Sequence, residues 1–215
     1  MSEVLGLRER KKLQTRRVIS DAAIELFLSR GFDAVSVADV AAAAEVSNMT
    51  VFNYFPTKED LVLHRVEDHF DEAAATVRAR QPDETPLAAL RRHFLAGLDA
   101  RDATTGLNDQ AEYISFQRMV LGSPRLWLRM VEQASRMEDS LSAAFAEIAG
   151  AGDDDITPRI AASQVIAVQQ ALVVHNLRNV LAGATADALH DRAVADANRA
   201  FDLLEHGLSG SSLAD

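Results

Sequence analysis

Residues 47–58 read SNMTVFNYFPTK, and the two ends of this segment decide how the first third of the chain is interpreted. Ser47 is a favourable N-cap, and Pro56 disfavours helical backbone at the residue before it, so the segment predicts a helix of about eight residues. With Ser47 at the N-cap, Val51 and Phe55 lie four residues apart and face inward. The remaining side chains face outward: Asn48, Met49, Thr50, Phe52, Asn53 and Tyr54.

A second short helix precedes this segment. Ser36 and Asp39 form a Ser-x-x-Asp capping pattern that opens an alanine-rich helix from Val37 to about Ala44. Two short helices joined by a tight turn indicate a helix-turn-helix, whose second helix lies in the major groove of DNA. Amides, a hydroxyl and apolar tips suit base edges, phosphates and thymine methyl groups. The alternative interpretation is an ordinary solvated helix.

Longer helices are predicted on both sides. The first starts near Thr15 and stops at Gly31, which can adopt the left-handed C-cap conformation. Thr57 and Asp60 repeat the capping pattern and open a long helix. Its apolar face is predicted to contain Val62, Val66, Phe70, Ala73 and Val77.

Residues 15–61, TRRVISDAAIELFLSRGFDAVSVADVAAAAEVSNMTVFNYFPTKEDL, resemble the TetR family of transcriptional repressors. The shared pattern runs through RGF, a Ser/Thr-initiated second helix, VS-x-x-T-hydrophobic-aromatic-x-Tyr-Phe and Pro-x-Lys-Glu-x-Leu. The resemblance implies base contacts by Asn48 and Met49 and phosphate contacts by Tyr54 and Lys58. The full implied DNA-binding set is Arg17, Ser36, Val37, Ser47, Asn48, Met49, Thr50, Phe52, Asn53, Tyr54 and Lys58.

Three residues depart from the family pattern. Glu45 stands where the turn usually has Gly, and a left-handed backbone there costs roughly 1 to 2 kcal/mol. Ala38 stands where many relatives have Arg, so one base contact is missing. Phe52 replaces the commoner Tyr and lacks its hydroxyl. Each change is expected to alter the operator preference and to leave the fold intact.

The charge of the chain is unevenly distributed. The net charge is -10, but residues 1–17 contain six basic residues against Glu3 and Glu9. Residues 61–215 contain 14 Arg, no Lys and 23 acids. A basic arm on an acidic body is expected when one end of the protein meets phosphate. A solvated charged tail is the alternative.

Beyond Pro82 the chain predicts a larger helical body, and few signals for β-strands occur anywhere. Helices are expected from Pro86, from Asn108 to Leu121, from Leu126 to Ile148, after Pro158, and from Ala186 to His206. The predicted fold is all-α with about nine helices. Residues 1–57 are expected to form the basic arm and DNA-binding domain, 58–207 a helical effector-binding and dimerisation domain, and 208–215 a disordered tail.

The helix after Pro158 has no charged residue from Ile160 through Leu177, and its apolar residues surround the axis. It is therefore expected to be buried on two sides, with one side against a second subunit. A central helix in a monomer is the alternative. Its Ser, Gln, His and Asn residues are too polar for a bilayer, and no run of 18 apolar residues occurs in the chain, so the protein is expected to be cytoplasmic.

The family resemblance implies that helices at about 158–183 and 186–206 form a homodimer interface and that middle helices enclose a cavity for a small effector. Aromatic, Met and amide residues suit an apolar ligand, although each could be plain core. The candidates are Phe94, Leu98, Tyr113, Phe116, Met119, Trp127, Met130, Gln169, Val173 and Asn176.

No motif for catalysis or for a cofactor is found. His64, Asp68 and His69 with Glu72 have helical spacings that suit a metal, but a solvent-facing ion pair is the favoured interpretation. The chain has no Cys, which excludes disulfides and thiolate-bound zinc. The leading hypothesis is a ligand-responsive, dimeric DNA-binding repressor. Its rivals are an all-helical enzyme that uses His64, Asp68 or His175, and an architectural DNA-binding protein without an effector.

Overall fold

The computed structural model describes residues 6–67 and 69–207; residues 1–5 of the basic arm, Asp68 and the predicted tail at 208–215 lie outside the described residues. Within the two described ranges the chain forms ten α-helices and one 3₁₀ helix and contains no β-strand, so the predicted all-α fold is confirmed. The helices are α1 Leu7–Arg30, α2 Val37–Ala43, α3 Asn48–Tyr54, α4 Lys58–Glu67, α5 Glu72–Arg78, α6 Pro86–Asp99, the 3₁₀ helix Ala103–Thr105, α7 Ala111–Gly122, α8 Pro124–Ala149, α9 Thr157–Leu181 and α10 Ala186–His206.

The chain divides into two compact units. The first unit combines Met1–Asp68 with Ser115–Val131, and the second combines His69–Ile114 with Glu132–Asp215. The first unit thus contains the whole predicted DNA-binding segment, together with α4, most of α7 and the beginning of α8.

The core of the first unit consists of apolar side chains from α1 to α4, α7 and α8. Phe27 and Phe55 are almost completely buried, and the ring of Phe27 meets that of Phe32 edge to face with centroids 5.0 Å apart. Phe116, Val120 and Leu126 are buried in the same core. Burial of these side chains from α7 and α8 therefore stabilises the unit that carries the helix-turn-helix.

Helix α1 begins earlier than predicted, at Leu7 instead of near Thr15. The Thr15 hydroxyl donates to the carbonyl oxygen of Lys11 at 2.9 Å, which is a bond inside a continuing helix and not an N-cap. Residues 8–14 are mostly Arg, Lys, Glu, Leu and Gln, all good helix formers, so the charged segment extends the helix.

The single long helix predicted after Thr57 is wrong. Helix α4 ends at Glu67 and α5 begins at Glu72. A turn interrupts the pattern: the Glu72 amide donates to the carbonyl oxygen of His69 at 3.3 Å, and the Asp71 carboxylate accepts from the Ser140 hydroxyl at 2.6 Å. Asp is a poor residue for a helix interior because its side chain hydrogen-bonds nearby backbone groups in non-helical conformations.

In the second unit, α6, α9 and α10 share one core that includes Leu98, Ile166 and Phe201. Helix α7 begins at Ala111 and not at Asn108 as predicted, because the Asn108 side chain is used in a turn. Its amide donates to the carbonyl oxygen of Arg101 at 2.8 Å, and its oxygen accepts from the Gln110 amide at 3.0 Å. The predicted start and end of α10 are confirmed.

Helix α9 buries one side in the second unit and exposes the other. Its exposed uncharged side chains recur at spacings of three and four residues: Ile160, Gln164, Ala167 and Ala171. Among the described residues, α9 is the one helix that is long and apolar enough to cross a membrane, with a mean hydropathy of 1.3 over an 18-residue window that is 33% buried. Because core helices of soluble proteins have the same composition, this is weak evidence for a membrane span.

Candidate nucleic-acid interface

Helix α3 is fixed at both ends and along its inner side. The Thr50 amide donates to the Ser47 hydroxyl at 3.0 Å, which caps the first turn. Phe55 has an extended backbone before Pro56 and ends the helix. Val51 and Phe55 are each 1% exposed, as the helix pattern predicts. These contacts hold a helix of seven residues whose other side faces solvent.

The outward side of α3 carries long, uncharged side chains. Met49 is 69% exposed and Phe52 is 49% exposed, which is high for large apolar residues. Asn48 and Asn53 are exposed as well, and Tyr54 is half-buried against the core of the first unit. The predicted base-contacting residues therefore share one accessible surface.

The turn between α2 and α3 contains the backbone conformation expected from the family pattern. Glu45 has φ = 54°, which lies in the left-handed region. The amide of Glu45 donates to the Ala42 carbonyl oxygen at 3.2 Å, and that of Val46 donates to the Ala41 carbonyl oxygen at 2.9 Å. This pair of bonds is a Schellman motif, which usually places Gly where Glu45 stands. The predicted local strain is thus present.

The capping box of α2 is also formed. The Asp39 amide donates to the Ser36 hydroxyl at 3.2 Å, and the Ser36 amide donates to the Asp39 carboxylate at 2.8 Å. Ser36 is exposed and Val37 is half-buried against the core. This capping box fixes the first turn of α2, the first helix of the helix-turn-helix.

The two basic site candidates have different surroundings. The ammonium of Lys58 lies 4.3 Å from the ring centroid of Phe32 and 5.6 Å from that of Phe27, so it makes cation–π contacts within the first unit. Arg17 has a side chain that is 83% exposed and lies 3.6 Å from the Asp21 carboxylate. Lys58 thus stabilises the fold, whereas Arg17 projects into solvent.

An ion pair between Asp60 and Arg129 joins the start of α4 to α8 inside the first unit. Arg129 Nη2 donates to Asp60 Oδ1 at 2.6 Å, while the other carboxylate oxygen accepts from the Thr57 amide at 2.9 Å. Burial raises the pKa of Asp60, but hydrogen bonds from Thr57 and Arg129 outweigh burial and leave this pKa below its usual value. The sequence offers no local signal for this contact, because the two residues are 69 positions apart.

Four of the ligand candidates lie in the first unit. Phe116 is buried in its core, and Met119 and Met130 pack against that core. Trp127 is 48% exposed. Met119 also lines a surface hollow of about 290 Å³ beside Phe27, Phe32 and Arg118.

The other six candidates lie in the second unit. Phe94 and Leu98 belong to its core, and Val173 packs against it. The buried Asn176 donates to the carbonyl oxygen of Thr105 at 2.9 Å, so its amide is used in holding the 3₁₀ helix. The remaining two are less buried: Tyr113, whose hydroxyl donates to the Ala103 carbonyl oxygen at 3.1 Å, and Gln169. A second hollow, of about 480 Å³, is lined by residues of α8, α9 and their connecting loop and by none of these candidates.

Of the two histidines considered as metal ligands, His69 contacts a carboxylate that it shares with His93, and His64 packs against a ring. His69 Nδ1 lies 3.0 Å from one oxygen of Glu72, and His93 Nε2 lies 3.2 Å from the other. The ring centroids of His64 and Phe55 lie 5.6 Å apart. In the part of the chain that the structure describes, no group of three or more His, Asp or Glu side chains is arranged to hold a metal ion.

Comparison with known proteins agrees with this geometry. Residues 19–64 match the model of the tetR family of bacterial regulatory proteins. The HTH-type transcriptional regulator TcmR of Streptomyces glaucescens is 33% identical over 156 residues, which cover 72% of this chain and 69% of TcmR. The chain belongs to the TetR family.

Two further similarities extend over most of this TetR-family chain. The HTH-type transcriptional regulator RutR of Escherichia coli strain K12 is 28% identical over 142 residues, 66% of this chain and 65% of RutR. The crystal structure of NalD, the secondary repressor of the MexAB-OprM multidrug efflux pump in Pseudomonas aeruginosa, aligns with a TM-score of 0.56 at 21% identity, covering 87% of this chain and 96% of NalD. The TetR-family protein is thus a DNA-binding, helix-turn-helix regulator of transcription, in which α2 and α3 form the motif.

Proposed function

We propose that the protein is a ligand-responsive repressor that binds a near-palindromic operator as a dimer and is released by a small apolar effector. The observation that carries this proposal is the outer face of α3, which exposes Asn48, Met49, Phe52 and Asn53 while Val51 and Phe55 anchor the helix in the core. Exposed amides and apolar tips on a short, fixed helix suit base edges in a major groove.

The proposed contacts fall into two classes. Asn48 and Met49 contact bases, and Thr50, Phe52 and Asn53 contact bases or the backbone. The remaining residues contact the DNA backbone: Arg17, Ser36, Val37, Ser47, Tyr54 and Lys58. Phosphate contacts position the protein without reading sequence, so changes in the two classes have different effects on specificity.

The proposed dimer forms through α9 and α10. The exposed stripe of α9 is uncharged, and its alanines at 167 and 171 allow a second helix to approach closely. One turn of DNA separates adjacent half-sites by about 34 to 36 Å, so the proposed dimer presents its two copies of α3 at that spacing. A near-palindromic operator follows from the two-fold symmetry of this dimer.

In this proposal residues 1–57 read DNA, and residues 58–207 bind the effector and form the dimer. An effector that favours one spacing of the two recognition helices shifts the equilibrium by its differential affinity, typically about 1 to 3 kcal/mol. The ten candidate residues for the effector site remain those predicted from the sequence. The cytoplasm, where DNA is accessible, is the proposed location.

Selection of duplexes from a random pool tests the proposal, followed by titration of the enriched duplex and a scrambled duplex at one fixed salt concentration. We expect the enriched duplex to bind about 10³-fold more tightly or better and to contain two related half-sites. The Asn48→Ala/Asn53→Ala double variant is the matched control without the two amides of α3. Both side chains are exposed, so their removal leaves the core intact.

Equal affinity for both duplexes contradicts a specific repressor and favours the architectural alternative. An activity that survives deletion of residues 1–57 supports the enzyme alternative. Repression is tested separately with a reporter gene placed behind the enriched duplex: a repressor lowers expression, and an apolar effector that releases the protein restores it.

A further inference from the structure

The exposed face of α3 contains no charged residue. The helix reads NMTVFNY, and its accessible side chains are two amides, a thioether and a phenyl ring. Met49 and Phe52 are three residues apart and therefore lie on the same side of the helix. Together they form an apolar patch next to Asn48 and Asn53, none of which contributes to the core of the first unit.

The bases of DNA differ in the groups that they present in the major groove. Guanine presents two acceptors and is read mostly by Arg or Lys, whereas adenine presents an acceptor and a donor that match the side-chain amide of Asn or Gln. Thymine alone carries a methyl group, which apolar side chains contact. The composition of α3 matches adenine and thymine and lacks the residues that read guanine.

Two basic residues that pack on aromatic rings of the first unit do not fill this gap. The ammonium of Lys58 lies over the rings of Phe32 and Phe27, and the guanidinium of Arg16 lies 5.4 Å from the ring centroid of Phe55. Helix α2 reads VADVAAA and supplies no basic side chain either. The described surface around α3 thus offers apolar and amide groups to the bases.

We infer that each operator half-site has a core of A·T pairs, in which Met49 and Phe52 pack against thymine methyl groups and Asn48 or Asn53 pairs with adenine. This inference rests on the proposed function, since it describes the operator that the protein binds. Met49 and Phe52 are then specificity-determining residues, and the thymine methyl is the group that they read.

Replacing thymines of the enriched duplex one at a time with deoxyuridine tests the inference. Deoxyuridine keeps the base pair and removes only the methyl group. We expect about a fourfold loss of affinity at one or more half-site positions, which corresponds to the burial of one methyl-sized group. At thymines outside the half-site core we expect no change.

Three protein variants complete the experiment. Met49→Ala and Phe52→Ala are expected to abolish the difference between thymine and deoxyuridine at the positions that each side chain contacts. Leu128→Ala is the matched control: Leu128 is 59% exposed on α8, so its truncation removes similar apolar surface from a different helix. This control is expected to retain the full difference.

The possible failures are distinguishable. A pool without any enriched sequence overturns the proposed function, and the inference with it. An enriched duplex with a G·C core, or an A·T core bound equally well after every thymine has been replaced, overturns the inference and leaves the repressor intact. Retention of the thymine preference in both α3 variants also overturns the inference.

Discussion

Helix α3 in the first unit exposes a face without charged residues, and helix α9 in the second unit does so between Ile160 and Leu177, but the two faces differ in shape. Helix α3 has seven residues and presents the long tips of Met49 and Phe52. Helix α9 has 25 residues, and its exposed stripe begins with Ile160 and Gln164 and continues with the short side chains of Ala167 and Ala171. Protruding tips suit a groove, whereas a flat stripe suits another helix. The absence of charge alone therefore does not indicate which partner covers a surface. The length of the exposed side chains distinguishes the two proposed partners, DNA and a second helix.

The largest effect is expected from a charge on the flat face. Ala171→Glu places a carboxylate in the proposed dimer interface, where an unpaired charge is costly to bury. We expect the dimer to dissociate and operator affinity to fall about 100-fold or more, since a single half-site remains bound. Sedimentation equilibrium gives the mass, and fluorescence anisotropy gives the affinity.

Ala96→Glu is the matched control for this change. Ala96 is an exposed alanine on α6, so the same substitution is made on a helix outside the proposed interface. A dimer that survives Ala171→Glu with unchanged operator affinity contradicts the assignment of α9.

A smaller effect is expected on the protruding face. Asn48→Ala is expected to weaken operator binding by about 1 to 3 kcal/mol and to relax base choice at one position, because it removes one amide–base pair. Arg17→Ala, in contrast, is expected to weaken binding to specific and random duplexes alike. It is also expected to reduce the slope of log affinity against log salt concentration by about 1. Titrations on both duplexes at several salt concentrations separate the two roles, and identical profiles for the variants contradict them.

The Asp60–Arg129 pair provides a third test. Arg129→Gln is expected to lower the free energy of unfolding of the first unit by about 1 to 2 kcal/mol at neutral pH, because Asp60 is mostly buried and loses a charged hydrogen bond. The folded-state pKa of Asp60 is lowered, so its contribution is present above the usual carboxyl pKa of about 4 and is lost as pH falls through the folded-state pKa. Denaturant unfolding at pH 7 and at decreasing pH measures the difference.

An exposed pair is the control for this prediction. Arg78 donates to both carboxylate oxygens of Glu147 at 2.8 Å, and the two side chains are 43% and 57% exposed. Arg78→Gln is expected to have no measurable effect, because water and salt screen such pairs. If both substitutions have the same effect, the burial of Asp60 does not explain its contribution.

The smallest effect is expected at two turns that share one backbone conformation. Glu45 and Arg101 both have positive φ, at 54° and 55°. Glu45→Gly is expected to stabilise the protein by about 1 kcal/mol through relief of left-handed strain, which raises Tm by about 2 to 4 °C. Arg101→Gly is expected to give no gain, because Arg101 also donates to Asp187 at 2.7 Å and to the Leu98 carbonyl oxygen at 2.8 Å. Equal gains in calorimetry would show that these side-chain bonds contribute nothing.

The sequence was sufficient for several features that depend on neighbouring residues. The caps at Ser36, Ser47 and Thr57 bond to groups three residues away, and Val51 and Phe55 face inward because of helix geometry. The family pattern raised a left-handed backbone at Glu45 as a condition for strain, and φ = 54° fulfils that condition. Each of these features lies within one or two turns of chain, where spacing determines which groups meet.

The sequence was insufficient wherever distant segments meet. Leu126 and Arg129 contribute to the first unit although they follow the α3 segment by about 70 residues, and no local pattern reveals such a contact. The turn near Asp71 was missed because the apolar spacing continues across it. Apolar residues such as Phe94 and Leu98 have the same spacing whether they fill a core or line a cavity, so the effector site stays a prediction.

The glycines of the second unit identify where its chain tolerates new sequence. A methyl group at Gly97, near the end of α6, would lie 2.8 Å from Thr105 Cγ2, and one at Gly106 would overlap the carbonyl oxygen of Val173. The end of α6 and the connection after it therefore have no room for an insertion. A methyl group added at Gly150 or Gly152, in the exposed loop between α8 and α9, would meet no atom within 4 Å. A fluorescent reporter or an affinity tag is therefore best inserted at that loop, which would allow effector binding to be followed without disturbing the packed connection.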